Sequence, residues 1–315
     1  MSKFNIKSYH SDFEQVWNDF ISKSNTATFL FDRNFMDYHS DRFADASLLV
    51  YKSNGLVAIC PANTTDGKVY AHQGLTYGGF IFTNDLSSTE KGEISNAVVD
   101  YFKAEGIANL FIKGIPSFYN TQHTEDEKKL LLTHGAKIYR QDKVLAIDYS
   151  KPFTIHKTKL KNYRKNSSKG FVIEQTDDFL PFWNDVLIPR LKDKHNASPV
   201  HSLNEIELLA SRFPNNIKQF NIYLDNEILA GITIFDKGMV VKSQYGATTK
   251  RGEKERALEY LFLHLIYKYK DEGKSFFSMG TVREDNALGY NEGLLKQKEE
   301  LGCVVYSQDF HRLDL

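Results

Sequence analysis

Apolar residues in the first half of the chain change period several times. Phe13, Val16, Trp17, Phe20 and Ile21 recur at helical spacing and predict a helix over residues 12–22, capped by Ser11 or Asp12. Residues 34–43 form a second predicted helix in a stretch dense in aromatics and charges. Two apolar runs, 46–52 and 56–62, flank Ser53-Asn54-Gly55, and that turn chemistry predicts a hairpin. A short strand over 68–72 leads into a polar, glycine-rich loop from Gln73 to Gly79, followed by an apolar triplet at 80–82. A helix over 89–105 buries Ile94, Val98, Val99 and Phe102 and ends at Gly106. A strand over 107–113, a helix over 126–134 and one or two strands over 136–149 complete this half.

The second half repeats that order. A basic helix is predicted over 158–168, a strand over 171–174, a second tryptophan helix over 178–192 and a helix over 203–213. Strands over 217–223, 227–235 and 238–247 make a meander, with turns at Asp225-Asn226 and Asp236-Lys237-Gly238. One long amphipathic helix over 254–270 carries Leu258, Leu261, Phe262, Leu265 and Ile266 on a stripe. A strand over 275–279, a helix over 289–300 and a final strand pair over 304–315 close the chain.

Short matches tie the halves together. Lys103-Ala104-Glu105-Gly106 answers Lys270-Asp271-Glu272-Gly273, and Gly135 to Asp142 answers Gly302 to Asp309 through a shared G-x-x-x-Y-x-Q-D. Trp17 answers Trp183, and these are the two tryptophans of the protein. Tyr77-Gly78 answers Tyr245-Gly246, and Tyr51 and Asn54 answer Tyr223 and Asn226. The order is kept at an offset of about 166 to 172 residues, which predicts a duplicated domain of about 150 residues. The predicted domains are residues 1–150 and 151–315, with 304–315 expected to pack back on the first. The join near Ser150-Lys151-Pro152 is short, and no Pro/Gly/Ser-rich linker separates the halves. The fold class is mixed α/β (α+β).

Composition fits two packed cores: 315 residues, 41% hydrophobic and 13% aromatic. Lys plus Arg and Asp plus Glu are both 40, so the net charge is zero, which argues against a dedicated DNA-binding protein. Cys60 and Cys303 lie in apolar runs and read as buried thiols; two cysteines make neither a disulfide framework nor a four-ligand zinc site. The N-terminal residues lack an apolar signal core, and no window approaches 18 apolar residues. The expectation is a soluble, cytoplasmic protein without a transmembrane segment or a metal. A Ser-His-Asp elbow, an H-E-x-x-H and a Walker loop are all missing from the sequence, so hydrolase, metalloprotease and NTPase readings have no support.

The element order resembles that of the GNAT acyltransferase fold. Ser278-Met279-Gly280, Arg283-Glu284-Asp285-Asn286 and Asn291-Glu292-Gly293-Leu294 through Lys298 to Gly302 resemble the C-terminal signature of its FemAB-like branch. The basic stretch 160–170, with Tyr163-Arg164-Lys165-Asn166, resembles that branch's helix opening the second domain. Residues 29–43 together with Gly74-Leu75-Thr76-Tyr77-Gly78-Gly79 resemble a bacterial subgroup found with surface-polysaccharide genes. The resemblance covers nearly the whole chain. It implies two tandem GNAT-like domains, each a mostly antiparallel sheet flanked by helices, and transfer of an acyl or aminoacyl group to an amine. The donor it implies is acyl-CoA, such as acetyl-CoA, or aminoacyl-tRNA.

Acyl transfer to an amine needs a proton acceptor, donors for the oxyanion and cations or a helix N-terminus for the donor's phosphates. The phosphate candidate is Thr248-Thr249-Lys250-Arg251-Gly252, between a strand and the long helix. Only Gly252 matches the usual Q/R-x-x-G-x-G/A loop, and a solvated helix start is the alternative. The run Lys157, Lys159, Lys161, Arg164, Lys165, Lys169 contains no acid and could clamp phosphates or form a solvated face. Lys298 matches the family's lysine before the final glycine, which the resemblance places at the donor and the oxyanion; a surface lysine beside Glu299 and Glu300 is the alternative. Asp285, Glu284 and His72 compete as base, with water able to replace them. Arg33, Tyr38, His39, Tyr77, His195 and His201, with Arg164 from the basic run, are the acceptor candidates: polar groups mixed with aromatics suit a sugar or a peptide.

The leading expectation is an N-acyltransferase moving an acyl group from acyl-CoA to an amino sugar or similar cell-envelope precursor. The acceptor is a small-molecule amine or a nucleotide- or lipid-linked sugar. Aminoacyl-tRNA as donor and a non-catalytic GNAT-like scaffold are the alternatives.

Overall fold

A computed structural model describes residues 3–315, the side chains of Thr121 and His195 apart, so the acceptor candidate His195 lies outside the described side chains. The chain divides into two compact units: Met1–Asp142 with Ser307–Leu315, and Lys143–Tyr306.

The first unit holds strands β1 (Phe4–Ser8), β2 (Ala44–Asp45), β3 (Leu48–Lys52), β4 (Gly55–Cys60), β5 (Asn63–Thr65), β6 (Lys68–Ala71), β7 (Ile81–Phe82) and β8 (Asn109–Lys113). Its helices are α1 (Glu14–Lys23), α2 (Arg33–Met36), α3 (Ser88–Ala104) and α4 (Thr121–Thr133). Strand β9 (Lys137–Asp148) gives residues 137–142 to this unit and 143–148 to the second. The second unit continues with α5 (Lys157–Asn166), β10 (Val172–Thr176), α6 (Leu180–Phe182), α7 (Ile188–His195), α8 (Leu203–Arg212), β11 (Ile217–Leu224), β12 (Glu227–Asp236) and β13 (Val240–Thr248). Helices α9 (Lys250–Glu255) and α10 (Ala257–Asp271), strand β14 (Phe276–Thr281), helix α11 (Glu292–Glu300) and strand β15 (Val304–Asp314) follow.

In unit 1, β1, β3, β4 and β7 form one antiparallel sheet, while β2, β5, β6, β8 and residues 307–314 of β15 lie side by side in that order, with β6 parallel to β8. Leu48, Val50, Ala58 and Cys60 meet Ile94, Val98 and Phe102 of α3 in the core. Glu127 on α4 is buried there at 3% exposure, and its Oε1 accepts the Phe80 N–H at 3.0 Å. A Cβ on Gly79 would sit 2.0 Å from that oxygen, and φ there is +132°, so only glycine fits. Burial pushes the Glu127 carboxyl up to about 8.

In unit 2 the order is β10, β11, β12, β13, β14, then residues 143–148 of β9. Strand β12 is buried along nearly its whole length because both faces are covered. Leu229, Ile232 and Ile234 belong to the core that Leu261, Leu265 and Ile266 of α10 also enter, and Gly231 lies under the ring of Phe182.

The expected hairpin forms, with Lys52 opposite Gly55 around a two-residue loop. Four expectations are corrected. The helix over 34–43 stops as α2 at Met36 and tightens to a 3₁₀ turn over Asp37–His39. The single helix over 254–270 is two helices, broken at Arg256 in the left-handed region at φ 58°. Gly252 presses against the Leu229 carbonyl, where a Cβ would approach to 2.2 Å. The final strand pair is one long strand, β15. The second tryptophan helix widens to a π pattern over Trp183–Leu187, because Pro189 has no N–H to donate. Strands β1, β2 and β5 had no sequence expectation at all.

The buried Glu127 generates a pH prediction. Its folded pKa lies above the ordinary 4.5, so its contribution to stability is fully present below 4.5 and is lost as pH rises through about 8. Glu127→Gln should therefore match the parent near pH 4.5 and exceed its unfolding free energy by about 2–5 kcal/mol at pH 8.5. Denaturant melts at both pH values check this; parallel profiles would contradict it.

Candidate active site

Strand β13 pairs antiparallel with β12 on one edge and parallel with β14 on the other. The parallel ladder holds only Val240↔Phe276, Val241↔Phe277 and Lys242↔Ser278. Beyond Lys242, β13 runs on to Thr248, while β14 bends at Gly280, where φ is +71°. The β12–β13 register shifts at Thr233/Ile234, which leaves Gln244 as the bulged residue and twists β13 away from β14.

A cavity of about 860 Å³ opens at this parting of the strands. Ser243, Gln244, Gly246, Ala247 and Thr248 of β13 line it, with Met279 of β14 beside them. Phe262 and Leu258 of α10 supply an apolar wall. Lys159, Arg190, Lys194, Lys254, Arg256 and Lys298 reach it against two carboxylates, Glu253 and Glu259. That excess of positive charge suits a ligand with phosphates.

Lys298 stands on α11 and is 7% exposed. Its Nζ donates to the carbonyls of Met279 at 2.6 Å, Thr281 at 2.8 Å and Gly280 at 3.5 Å. Burial lowers its pKa to about 8, while the nearby Cys303 works in the opposite direction. The ammonium therefore ties down the bent end of β14 at the cavity wall.

Of the predicted phosphate loop, Thr248 and Gly252 line the cavity. Thr248 donates its hydroxyl to the Leu229 carbonyl, and Thr249 caps α9 by accepting the Gly252 N–H at 3.0 Å. Arg251 turns away to Asp225, at 2.6 Å, and to Glu227. Lys250 is 83% exposed and lies 3.8 Å from Asp193. Asp285 is exposed in the loop bridged by Arg283 and Tyr290 and does not line the cavity. Arg164 is exposed on α5. His201 is buried, and its Nδ1 lies 2.6 Å from Tyr245 Oη, which also accepts the His201 backbone N–H.

The remaining candidates belong to unit 1. Arg33 is 1% exposed, with its guanidinium 3.3 Å from the Tyr9 ring centre and 4.2 Å from that of Trp17. It pairs with Asp45 at 2.5 Å and Asp37 at 3.3 Å. His39 and His72 stack at 5.7 Å beside it, and all three border a cavity of about 240 Å³. Burial, and then His39, lower His72 to about 3, and its Nδ1 accepts the Gly74 N–H. Tyr38 packs on His39, and Tyr77 is fully buried with its hydroxyl on Thr28.

The structure thus gathers Lys298, Thr248 and Gly252 around one cavity and places Arg33, Tyr38, His39, His72 and Tyr77 in the other unit. Sequence reasoning missed Arg190, Arg256, Ser243 and Gln244. Arg190 and Lys194 stand at i, i+4 on one helix face, a spacing visible in the sequence. The bulge that exposes Gln244 leaves no sequence mark.

No family model and no curated protein matches the sequence. Solved structures do match. FemX aligns over 99% of this chain and 97% of its own at a TM-score of 0.71 and 10% identity. The fold is that of FemX, with two compact mixed α/β units in one chain. L-PGS from Bacillus licheniformis aligns over 97% of this chain and 92% of its own, at a TM-score of 0.65 and 13% identity. The C-terminal domain of a putative lysylphosphatidylglycerol synthetase from Agrobacterium fabrum aligns at 0.63 and 9%, over 96% and 92% of the two chains. At such identities the likeness to FemX speaks for the fold.

Among the described residues, no group of three His, Cys, Asp or Glu is arranged to hold a metal, and no helix is long and apolar enough to cross a membrane.

Arg33 offers a test of its placement. Arg33→Ala empties the space of a buried guanidinium and leaves the faces of Tyr9 and Trp17 bare, and should cost about 3 kcal/mol of stability, with lysine rescuing little. Denaturant melts check this. An unchanged midpoint with lost turnover would instead make Arg33 a substrate contact.

Proposed function

We propose that the chain is an N-acyltransferase. It moves an acyl group from acyl-CoA, acetyl-CoA in the simplest case, to the amine of an amino sugar or similar cell-envelope precursor. The observation that carries this reading is the three-pair ladder between β13 and β14 and the basic cavity it opens. Past Lys242, the edge of β13 facing the cavity offers backbone groups to an extended donor chain, as a sheet edge does to an added strand. Phe262 and Leu258 shield the thioester from water.

In this reading the acceptor nitrogen attacks the thioester carbonyl. The C–N bond forms, the oxyanion collapses, the C–S bond breaks and the sulfur leaves as thiolate. The amine loses one proton and the thiolate gains one. Neither Asp285 nor His72 lines the cavity, so water relays the proton. Lys298 has committed its three hydrogens to carbonyls, so it acts on the oxyanion through the field of its charge and by holding the end of β14. The acceptor comes from the sequence resemblance to the branch found with surface-polysaccharide genes.

A second reading keeps the site and changes the donor to aminoacyl-tRNA. Lys157, Lys161, Arg164 and Lys165 are exposed on α5 at i, i+4, i+7 and i+8, while Lys159 and Lys169 are turned to Glu259 and Glu255. Such a stripe fits an RNA backbone, and binding through it would weaken steeply with salt. Turnover of any physiological amine would dispose of the third reading, a non-catalytic scaffold.

Two measurements test the proposal. Millimolar acetyl-CoA should raise the thermal midpoint, since a ligand at a hundred times its Kd stabilises by about 2.7 kcal/mol. No shift would move the reading to aminoacyl-tRNA or to the scaffold. Lys298→Met should lower kcat by about 10²-fold while the Kd for acetyl-CoA stays within a few-fold. Since the charged form is the useful one, parent activity should fall as pH rises past about 8, and the variant's profile should lack that limb. Full turnover in Lys298→Met would remove the role.

A further inference from the structure

Past Lys242, strand β13 has lost β14 on one edge, and on the other its ladder to β12 is interrupted at Gln244. A strand held on one interrupted edge is loose unless side chains fasten it. Thr248 fastens the far end through the Leu229 carbonyl, at 3.0 Å. At the bulge the fastening is Tyr245. Its Oη accepts the backbone N–H of His201 at 3.2 Å and lies 2.6 Å from His201 Nδ1. Its ring meets the Trp183 indole edge-on, with centres 5.3 Å apart at 76°. The indole Nε1–H donates in turn to the His201 carbonyl at 3.2 Å.

Trp183 is fully buried and His201 is 5% exposed, so these bonds are shielded from water and strengthened by it. Both backbone groups of His201 are taken, the N–H by Tyr245 and the carbonyl by Trp183, which fixes this residue ahead of α8. Trp183 opens the π turn that ends at Leu187, and α7 follows without a break. Leu187, Arg190 and Leu191 of that run line the cavity, as do Gln244 and Gly246 on either side of Tyr245. One contact of three residues therefore ties two walls of the cavity together: the bulged edge of β13, and the π turn with α7. Tyr245 and His201 do not themselves line the cavity, so they act on it through their neighbours.

We propose that Tyr245 and His201 are positioning residues of the donor site, and that their bond holds the β13 edge and the α7 wall at the spacing the acyl donor needs. The inference rests on the donor reading above. With the bond in place, the edge of β13 is ordered before the donor arrives; without it, that ordering has to be completed during binding and weakens it.

Three variants of the full chain test it. Tyr245→Phe keeps the ring on Trp183 and deletes the hydroxyl. His201→Ala deletes the other partner, while His201→Asn keeps both a donor and an acceptor for the hydroxyl, whichever way the hydrogen runs. Each is titrated calorimetrically with acetyl-CoA, at a temperature where circular dichroism shows the parent and every variant fully folded. Tyr245→Phe and His201→Ala should each weaken binding about tenfold, and the double variant should bind no more weakly than either. His201→Asn should stay within about threefold of the parent. Parent affinity in Tyr245→Phe or His201→Ala, even with a lowered thermal midpoint, makes the bond a matter of stability alone; it overturns the proposal and leaves the donor reading standing. Losses that add in the double variant also overturn it, because the two residues would then act separately. A parent chain that binds no acetyl-CoA overturns the donor reading and the proposal together.

Discussion

Three residue pairs are all the ladder that β13 and β14 share, and the candidate site follows from where that ladder stops. Two devices end it. The bulge at Gln244 twists β13 off its straight course, and Gly280 turns β14 through a left-handed residue. The bend strands three carbonyls at the end of β14, and a buried ammonium, Lys298, collects them. Without that lysine the carbonyls would be left short of donors in a poorly solvated wall. The cavity, its apolar wall and its paired cations are all arranged around this parting of two strands.

Unit 1 handles the same problem differently. There β6 pairs in parallel with β8 for four residues, from Lys68↔Asn109 to Ala71↔Ile112, and the Gly78 N–H then donates to the Lys113 carbonyl. Gln308 bonds the carbonyls of Thr76 and Gly114, and Glu127 takes the N–H of Phe80. The glycine-rich loop is thus fastened over the strand ends by side chains. Gly78 makes this possible, since a Cβ there would lie 1.7 Å from the Ala71 carbonyl oxygen. The loop's glycines serve backbone packing in this unit.

Much of the fold was legible because local chemistry and tertiary packing agree. The first tryptophan helix forms at its expected place while the second widens to a π pattern over Trp183–Leu187, and the indoles answer each other: Trp17 donates to the Phe31 carbonyl and Trp183 to that of His201. The echoed tyrosines do the same, with Tyr77 on Thr28 and Tyr245 on His201. The break at Arg256 was invisible because nothing in that residue asks for φ near 58°. At the site, Lys298, Thr248 and Gly252 could be read from motif position. Arg251 could not, since Asp225 and Glu227 reach it only through the turn between β11 and β12. Arg33 was expected as an acceptor contact because charge among aromatics reads the same way in a binding site and in the cation–π packing seen here.

The central claim is that the edge of β13 beyond Lys242 is where the donor lies. Hydrogen exchange of the full chain, followed by mass spectrometry with and without saturating acetyl-CoA, tests it directly. The account predicts protection concentrated in peptides spanning residues 243–248 and the start of α10, because added hydrogen bonds slow exchange at an otherwise open strand edge. Protection confined to unit 1, or none anywhere at saturation, would contradict it.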